Sequence, residues 1–326
     1  MGVEKKEVSN PDLEQLVMSF VEENTAGSPT DEKVKWTHLS FRDIRRHLLA
    51  QHQLKVANCF IKRVLQKRGY RKRKPPKELL IGKSPHREDQ FRIICFLAAL
   101  FWDMGNNPIL SIDTKKKEAL GLLTRNEPIL SKGGKAPKVY SHDYSYLATG
   151  KAIPHGIYDV KLNKGYISIG NSHETAAFLC DNLRWWWNEY GHLLYPNATV
   201  MLLTCDSGGA NGFRHHLFKK ELLALSREIG IRIVVAHYPP YCSKYNPIER
   251  KLFSHVHQTL KGTILTDLEQ VKMLMQKTHT ETGLKVEVRI VDKFYPIKLP
   301  SRAVDLDSKR ILVHPTLPQF SYTILP

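Results

Sequence analysis

Two short apolar runs that each end on an aspartate, residues 108–113 and 198–206, narrow the possible folds more than any other feature of the chain. Ile109-Leu110-Ser111-Ile112 leads to Asp113, and Val200-Met201-Leu202-Leu203 leads to Asp206. Apolar runs this short, bounded by turn residues, predict strands buried on both faces, as in the centre of an α/β sheet. The carboxyl ends of such strands open into a crevice, so a side chain placed there faces a site rather than the core. The surrounding spacing predicts a helix over 91–104, strands over 153–160 and 165–170 close enough for a hairpin, and a helix over 173–190. Beyond the second aspartate it predicts a helix over 213–229, a strand over 231–237 and a helix from about 246. The order is three strands, helix, strand, helix, strand, helix: a mixed α/β sheet flanked by helices, with an antiparallel start. Trp185, Trp186 and Trp187 fit core and rim packing on the helix over 173–190 and are assigned no chemistry.

Upstream the texture differs. Leu13, Leu16, Val17 and Phe20 fall at helix spacing, residues 25–31 form a Gly/Ser/Pro-rich loop, and helices are expected over 41–49 and 56–68. Two short helices in succession predict a helix-turn-helix, with Gly69-Tyr70 placed to turn into a wing. Residues 41–74 hold twelve Lys and Arg against the single acid Asp43. On the second helix Phe60, Val64 and Leu65 can face a core while Lys62, Arg63, Lys67 and Arg68 stay outside, as on a recognition helix. Candidate DNA contacts are therefore Arg45, Arg46, Lys62, Arg63, Lys67, Arg68, Arg71 and Arg73. The run Arg71-Lys72-Arg73-Lys74 followed by Pro75-Pro76 marks a boundary. The expected domains are a DNA-binding module over 10–75, a catalytic domain over 84–300 and a C-terminal tail over 301–326.

A chain of 326 residues, 42% of them hydrophobic, can bury cores for two or three such domains. Its formal charge of +17 makes a polyanion the natural partner, because Lys and Arg release condensed counterions when they neutralise phosphates. Five scattered cysteines show no zinc-site spacing and suit a reducing compartment, and no apolar run approaches the ~20 residues of a membrane span. A cytoplasmic protein with no membrane partner is expected.

A third acid joins the two aspartates. Asn246-Pro247-Ile248-Glu249 reads as a helix start, with Asn at the N-cap, Pro at N1 and Glu at N3. Ile248, Leu252, Val256 and Leu260 at four-residue steps bury that helix, which puts Glu249, Phe253 and His257 on the stripe at its edge. Three converging carboxylates suit phosphoryl transfer, since two divalent ions bridged by one carboxylate serve the two ends of an in-line displacement. Lys115 and Lys116 are candidate phosphate contacts, and His237, Ser243 and Lys244 candidates for positioning DNA.

Several stretches together resemble the bacterial insertion-sequence transposases of the Rhodopirellula type, of the DDE, ribonuclease-H-like class. They are Trp36-Thr37-His38-Leu39-Ser40, His86-Arg87-Glu88-Asp89-Gln90-Phe91, Leu110-Ser111-Ile112-Asp113-Thr114-Lys115-Lys116-Lys117-Glu118 and His142-Asp143. Further on, residues 150–159, Asp206-Ser207-Gly208-Gly209-Ala210-Asn211-Gly212 and residues 246–254 continue the likeness over nearly the whole chain. The resemblance implies a ribonuclease-H-like catalytic domain behind a winged-helix or helix-turn-helix module. It implies Asp113, Asp206 and Glu249 as catalytic and metal-holding residues for two Mg²⁺ ions, with Mn²⁺ able to substitute. Double-stranded DNA, as element ends and target, is the implied substrate of a nucleoid-associated homo-oligomer. Asp143 is the rival acid, weighed as structural. Family members carry further N-terminal sequence with another helix-turn-helix, so the alternative is an N-terminally truncated, non-catalytic DNA-binding regulator. A nuclease of the same fold that does not join strands is the other enzymatic reading.

Overall fold

The computed structural model describes residues 11–27, 33, 35–73, 85–124, 137–213, 215–297 and 306–326. The chain divides into two units, Met1–Leu79 and Leu80–Pro326.

In the first unit, helices α1 (Pro11–Glu23), α2 (Phe41–His52) and α3 (Asn58–Lys67) enclose a small core of Val17, Val21, Ile44, Leu48, Phe60, Ile61 and Val64. Helix α2 starts on a capping box: the Asp43 N–H donates to Ser40 Oγ at 3.2 Å, and Ser40 N–H donates to the Asp43 carboxylate at 2.9 Å. It ends on Gln53 in the left-handed region, φ 54°, which turns the chain within a few residues into α3. The loop expected over 25–31 opens with a short strand, β1 (Thr25–Gly27), which pairs antiparallel with β2 (Lys35–Thr37) beyond it. That ribbon precedes α2, whereas the expected wing follows α3. The wing expected to turn at Gly69-Tyr70 would continue past residue 73, outside the described residues; Tyr70 itself packs on the helical core, and its hydroxyl meets Thr25 Oγ1 at 3.2 Å.

Among the described residues, the second unit is built on a nine-stranded mixed sheet. Its strands are β3 (Ile109–Thr114), β4 (Glu118–Leu120), β5 (Gly150–Asp159), β6 (Lys164–Gly170), β7 (Val200–Cys205), β8 (Arg232–His237), β9 (Lys285–Val291), β10 (Ile311–Val313) and β11 (Ser321–Ile324). The spatial order is β10-β11-β8-β7-β3-β5-β6-β9, with β4 pairing β5. The β3–β7, β7–β8 and β6–β9 pairs are parallel; β3–β5, β5–β6 and β8–β11 are antiparallel. The segment expected to be a tail thus supplies two strands. Its Tyr322 and Ile324 are buried, and their apolar surface closes the sheet beside β8.

Side chains alternate across each strand. Leu110, Ile112, Leu203, Ile233 and Val235 face α5 (Ala176–Trp186) and α7 (His216–Ile229). Helix α5 runs on through a π-turn, Trp187–Gly191, into the short α6 (His192–Leu194). On the other face, α4 (Arg87–Asp103) packs on Ile109, Val200, Leu202 and Ala236, while α8 (Ser254–Leu260) and α9 (Leu268–Gln276) cover β5, β6 and β9. Trp186 is fully buried in the first of these cores, as its assignment to packing requires.

Candidate active site

Asp113 is the fifth residue of β3, and Asp206 is the first residue beyond β7. The two strands are parallel neighbours with Ile112 opposite Cys205, so the aspartates occupy the next rung at the carboxyl edge of the sheet. Glu249 arrives from the other direction. Its segment begins at Pro247-Ile248 and widens into a π-turn over Glu249–Phe253 before α8.

Local bonds hold the Asp113 side chain and the Asp206 backbone. Asp113, 9% exposed, accepts the Thr114 N–H at 2.7 Å. The backbone carbonyl of Asp206 lies 3.0 Å from Nδ1 of buried His237, whose Nε2 is 3.3 Å from the Tyr322 hydroxyl. Burial pulls His237 down to about 4, so the ring is neutral, and a single proton on Nδ1 satisfies both contacts. Next to Asp206, Ser207 Oγ donates to the Tyr238 carbonyl.

The electrostatics tie the acids together. Asp113 is pushed up to about 8, first by burial and then by the Asp206 charge; the Thr114 N–H opposes this, and Glu249 and Glu174 add to it. Glu249, half-buried, is pushed up by burial and drawn back by a hydrogen bond with the Asp113 carboxyl and by the charge of Lys115. The cluster of acids therefore holds a proton near neutrality. Because Asp113 is raised above its unfolded value of 3.8, its contribution to stability is complete below about pH 4 and is lost as the pH climbs through about 8. Asp113→Asn is expected to flatten that fall. In chelator, its melting temperature should exceed that of the wild type by several degrees at pH 8 and by little at pH 4; parallel pH profiles of the two proteins would contradict the assignment.

Among the described residues, no three His, Cys, Asp or Glu side chains stand at the spacing that grips one ion. The fit to a divalent cation lies in donor chemistry and charge. Three carboxylates bring hard oxygen donors to one sheet edge, and the Asp206 and Glu249 charges that add to the effect of burial on Asp113 are what a cation would offset.

The other candidates separate clearly. Lys115, expected to reach phosphates, is 8% exposed and ion-paired with buried Glu118, so its charge is spent inside the unit, while Lys116 is exposed. Asp143 sits on an exposed loop and accepts the Thr124 N–H at 3.0 Å. His237 is 1% exposed and cannot reach DNA; Lys244 is exposed and Ser243 partly so. Phe253, placed at the helix edge by four-residue steps, is buried beside Leu252, because the π-turn adds a residue and swings it inward as well. Asn246 precedes the helix in extended conformation, yet its side chain turns to β3 instead of capping. Glu174, just before α5, was not singled out by the sequence. It pairs with Lys117 at 3.6 Å while its charge reaches Asp113; only the fold brings that loop beside β3.

In the first unit Arg45, Arg46, Lys62, Arg63, Lys67, Arg68, Arg71 and Arg73 are all exposed. Lys67 is held by Glu14 at 2.8 Å, and the Arg71 guanidinium donates to the Gln66 and Tyr70 carbonyls. Arg42 and Lys55, which the sequence pattern does not single out, line an open cleft with Arg45 and Arg46.

The class that emerges is that of the DDE transposases, enzymes that cleave DNA and transfer its strands. Within that class the chain belongs to the Rhodopirellula transposase DDE domain family, whose model matches residues 14–326. No curated protein matches the sequence. Among solved structures, a Mos1 transposase paired-end complex with left transposon end has 13% identity and a TM-score of 0.44, over 83% of this chain and 73% of that one. A Mos1 mariner paired-end complex with Mn has 12% identity and a TM-score of 0.43, over 84% and 71%. The Mos1 strand transfer complex has 11% identity and a TM-score of 0.43, over 83% and 72%. Among the described residues no helix is long and apolar enough to cross a membrane.

Proposed function

We propose that Asp113, Asp206 and Glu249 are the catalytic acids and that they hold two divalent ions, Mg²⁺ with Mn²⁺ able to substitute. The observation that carries this reading is the parallel pairing of β3 and β7, in register up to Ile112 and Cys205, which brings two aspartates to one edge of the sheet, where the charges of Asp206 and Glu249 both act on Asp113. When bound, the ions would activate the attacking oxygen and stabilise the leaving 3′ oxygen. The chain's own residues do the rest. Burial strips water from Asp113, the Thr114 N–H fixes one of its oxygens, and the His237 N–H steadies the Asp206 backbone. The strand order β6-β5-β3-β7-β8, an antiparallel start followed by parallel strands, supports a ribonuclease-H-like core.

Helices α2 and α3 are read as a helix-turn-helix that presents Arg45, Arg46, Lys62, Arg63, Lys67, Arg68, Arg71 and Arg73 to double-stranded DNA, with Lys116 a phosphate contact of the catalytic unit. Substrates would be the ends of an insertion sequence and a target duplex. Joining two ends calls for a homo-oligomer on DNA, acting in the cytoplasm at the nucleoid. The test is incubation of the full chain with Mg²⁺ and DNA carrying the inverted repeats that flank its coding region. Nicks at the repeat ends and joined products are expected. Binding without cleavage would reduce the protein to a DNA-binding regulator, and cleavage without joining to a nuclease.

A further inference from the structure

We propose that Ser111 and Asn246 are positioning residues that set the spacing between the Asp113 and Glu249 carboxylates, an inference that rests on the reading of those acids as the ion-holding site. Ser111 is 0% exposed on a central strand between apolar Leu110 and Ile112, and Asn246 is also 0% exposed. Polar side chains so placed weaken a core unless every group is bonded. Here they are bonded to each other and across the acids. Ser111 Oγ donates to Asn246 Oδ1 and accepts the Ile248 N–H at 3.0 Å. Asn246 Nδ2 donates to the Ile112 carbonyl at 3.1 Å, and its backbone carbonyl accepts the Glu249 N–H at 3.1 Å.

Each side-chain bond therefore joins a residue within two positions of Asp113 to a residue within three of Glu249. Further along the same segment, Leu252, Val256 and Leu260 make only apolar contact with their core. The distinction has a physical consequence. Apolar packing is non-directional and tolerates sliding, whereas three hydrogen bonds sharing one amide and one hydroxyl fix distance and angle together. Ion ligands need their spacing held to about 0.2 Å, and the polar bolt lies at the end of the segment where the acids are. Ser111 and Asp113 also point to the same face of β3, two residues apart, so the bolt and the acid share one wall of the site.

The experiment uses the full chain and Mn²⁺ alone, without DNA. Binding is followed by the paramagnetic resonance of free Mn²⁺, and amide hydrogen exchange is followed in the peptide containing Ile248 and Glu249. Ser111→Ala should raise the half-saturating Mn²⁺ concentration at least tenfold and speed exchange at 248 and 249. Leu260→Ala, buried on the same segment but remote from the bolt, should lower the melting temperature and leave Mn²⁺ binding within twofold of the wild type. Should Ser111→Ala not fold, the same readings on Asn246→Ala decide. Wild-type Mn²⁺ binding by the bolt variant, or equal weakening by Leu260→Ala, overturns the proposal. Wild-type Mn²⁺ binding by Asp113→Asn and Glu249→Gln would instead overturn the underlying reading of the acids.

Discussion

Asp206→Asn is expected to leave the chain folded and bound to DNA while lowering strand cleavage by about 10³-fold or more, a loss of about 4 kcal/mol of transition-state stabilisation. Asn keeps the shape of the side chain and removes the charge that a divalent ion would meet. Folding should survive, because the backbone carbonyl of residue 206 keeps its contact with His237 whatever the side chain. The same change carries an internal control. The Asp206 charge is the leading electrostatic cause of the raised Asp113, so in the variant Asp113 should titrate below its wild-type value of about 8. Gel retardation and cleavage of DNA containing the element ends, measured on one preparation, check both halves. Undiminished cleavage would remove Asp206 from the chemistry.

Gly156→Val should be nearly as damaging, although residue 156 has no functional group. Gly156 stands directly opposite Asp113 in the β3–β5 ladder. A Cβ built there would lie 2.6 Å from Phe253 Cε1 and 2.9 Å from Ile248 Cδ1, closer than packed carbons approach. Both contacts belong to the segment that carries Glu249, so relief of the clash lifts that acid from the sheet. Gly165 has the equivalent role on the neighbouring strand β6, where a Cβ would meet Leu252 Cδ1 at 2.5 Å. Gly156 is outside the left-handed region, so the penalty is steric and not conformational. Overpacking of this kind costs about 1–3 kcal/mol of stability, and misplacing a reacting group by about 1 Å costs on the order of 10²-fold in rate. Melting and cleavage assays should find both losses in Gly156→Val, and Phe253→Ala in the same chain should recover some of each. Normal cleavage by Gly156→Val would mean that the seating of this segment does not set the position of Glu249.

Much of this arrangement is legible in the sequence because it rests on local pattern. The apolar runs ending on Asp113 and Asp206 become β3 and β7, and the expected order of three strands, helix, strand, helix, strand, helix recurs from β3 to α8 with the short strand β4 and the short helix α6 added. Ile248, Leu252, Val256 and Leu260 are all fully buried, as their spacing requires. Other features depend on partners distant in the chain. Ser321-Tyr322-Thr323-Ile324 is too short to announce a strand by itself, and it becomes one by pairing with β8. In β9, Val286, Val288 and Ile290 alternate with polar residues, a period-two signal from which that strand could have been expected. Lys115 shows the limit of reading charge as solvent exposure: a lysine beside two others looks like a phosphate contact until Glu118, three residues on, follows it into the interior. Asn246 shows the same limit for caps. Its position marks a helix start correctly, but the use of its side chain is decided by Ser111 and Ile112, 135 and 134 residues away.

The central claim is that Asp113, Asp206 and Glu249 share divalent ions, and it is tested most directly by anomalous scattering from Mn²⁺ in crystals of the full chain bound to element-end DNA. Two anomalous peaks, each within coordination distance of Asp113, Asp206 or Glu249 and at least one touching two of these residues, is the predicted result. Peaks located elsewhere, with the three carboxylates left uncoordinated at saturating Mn²⁺, would contradict it.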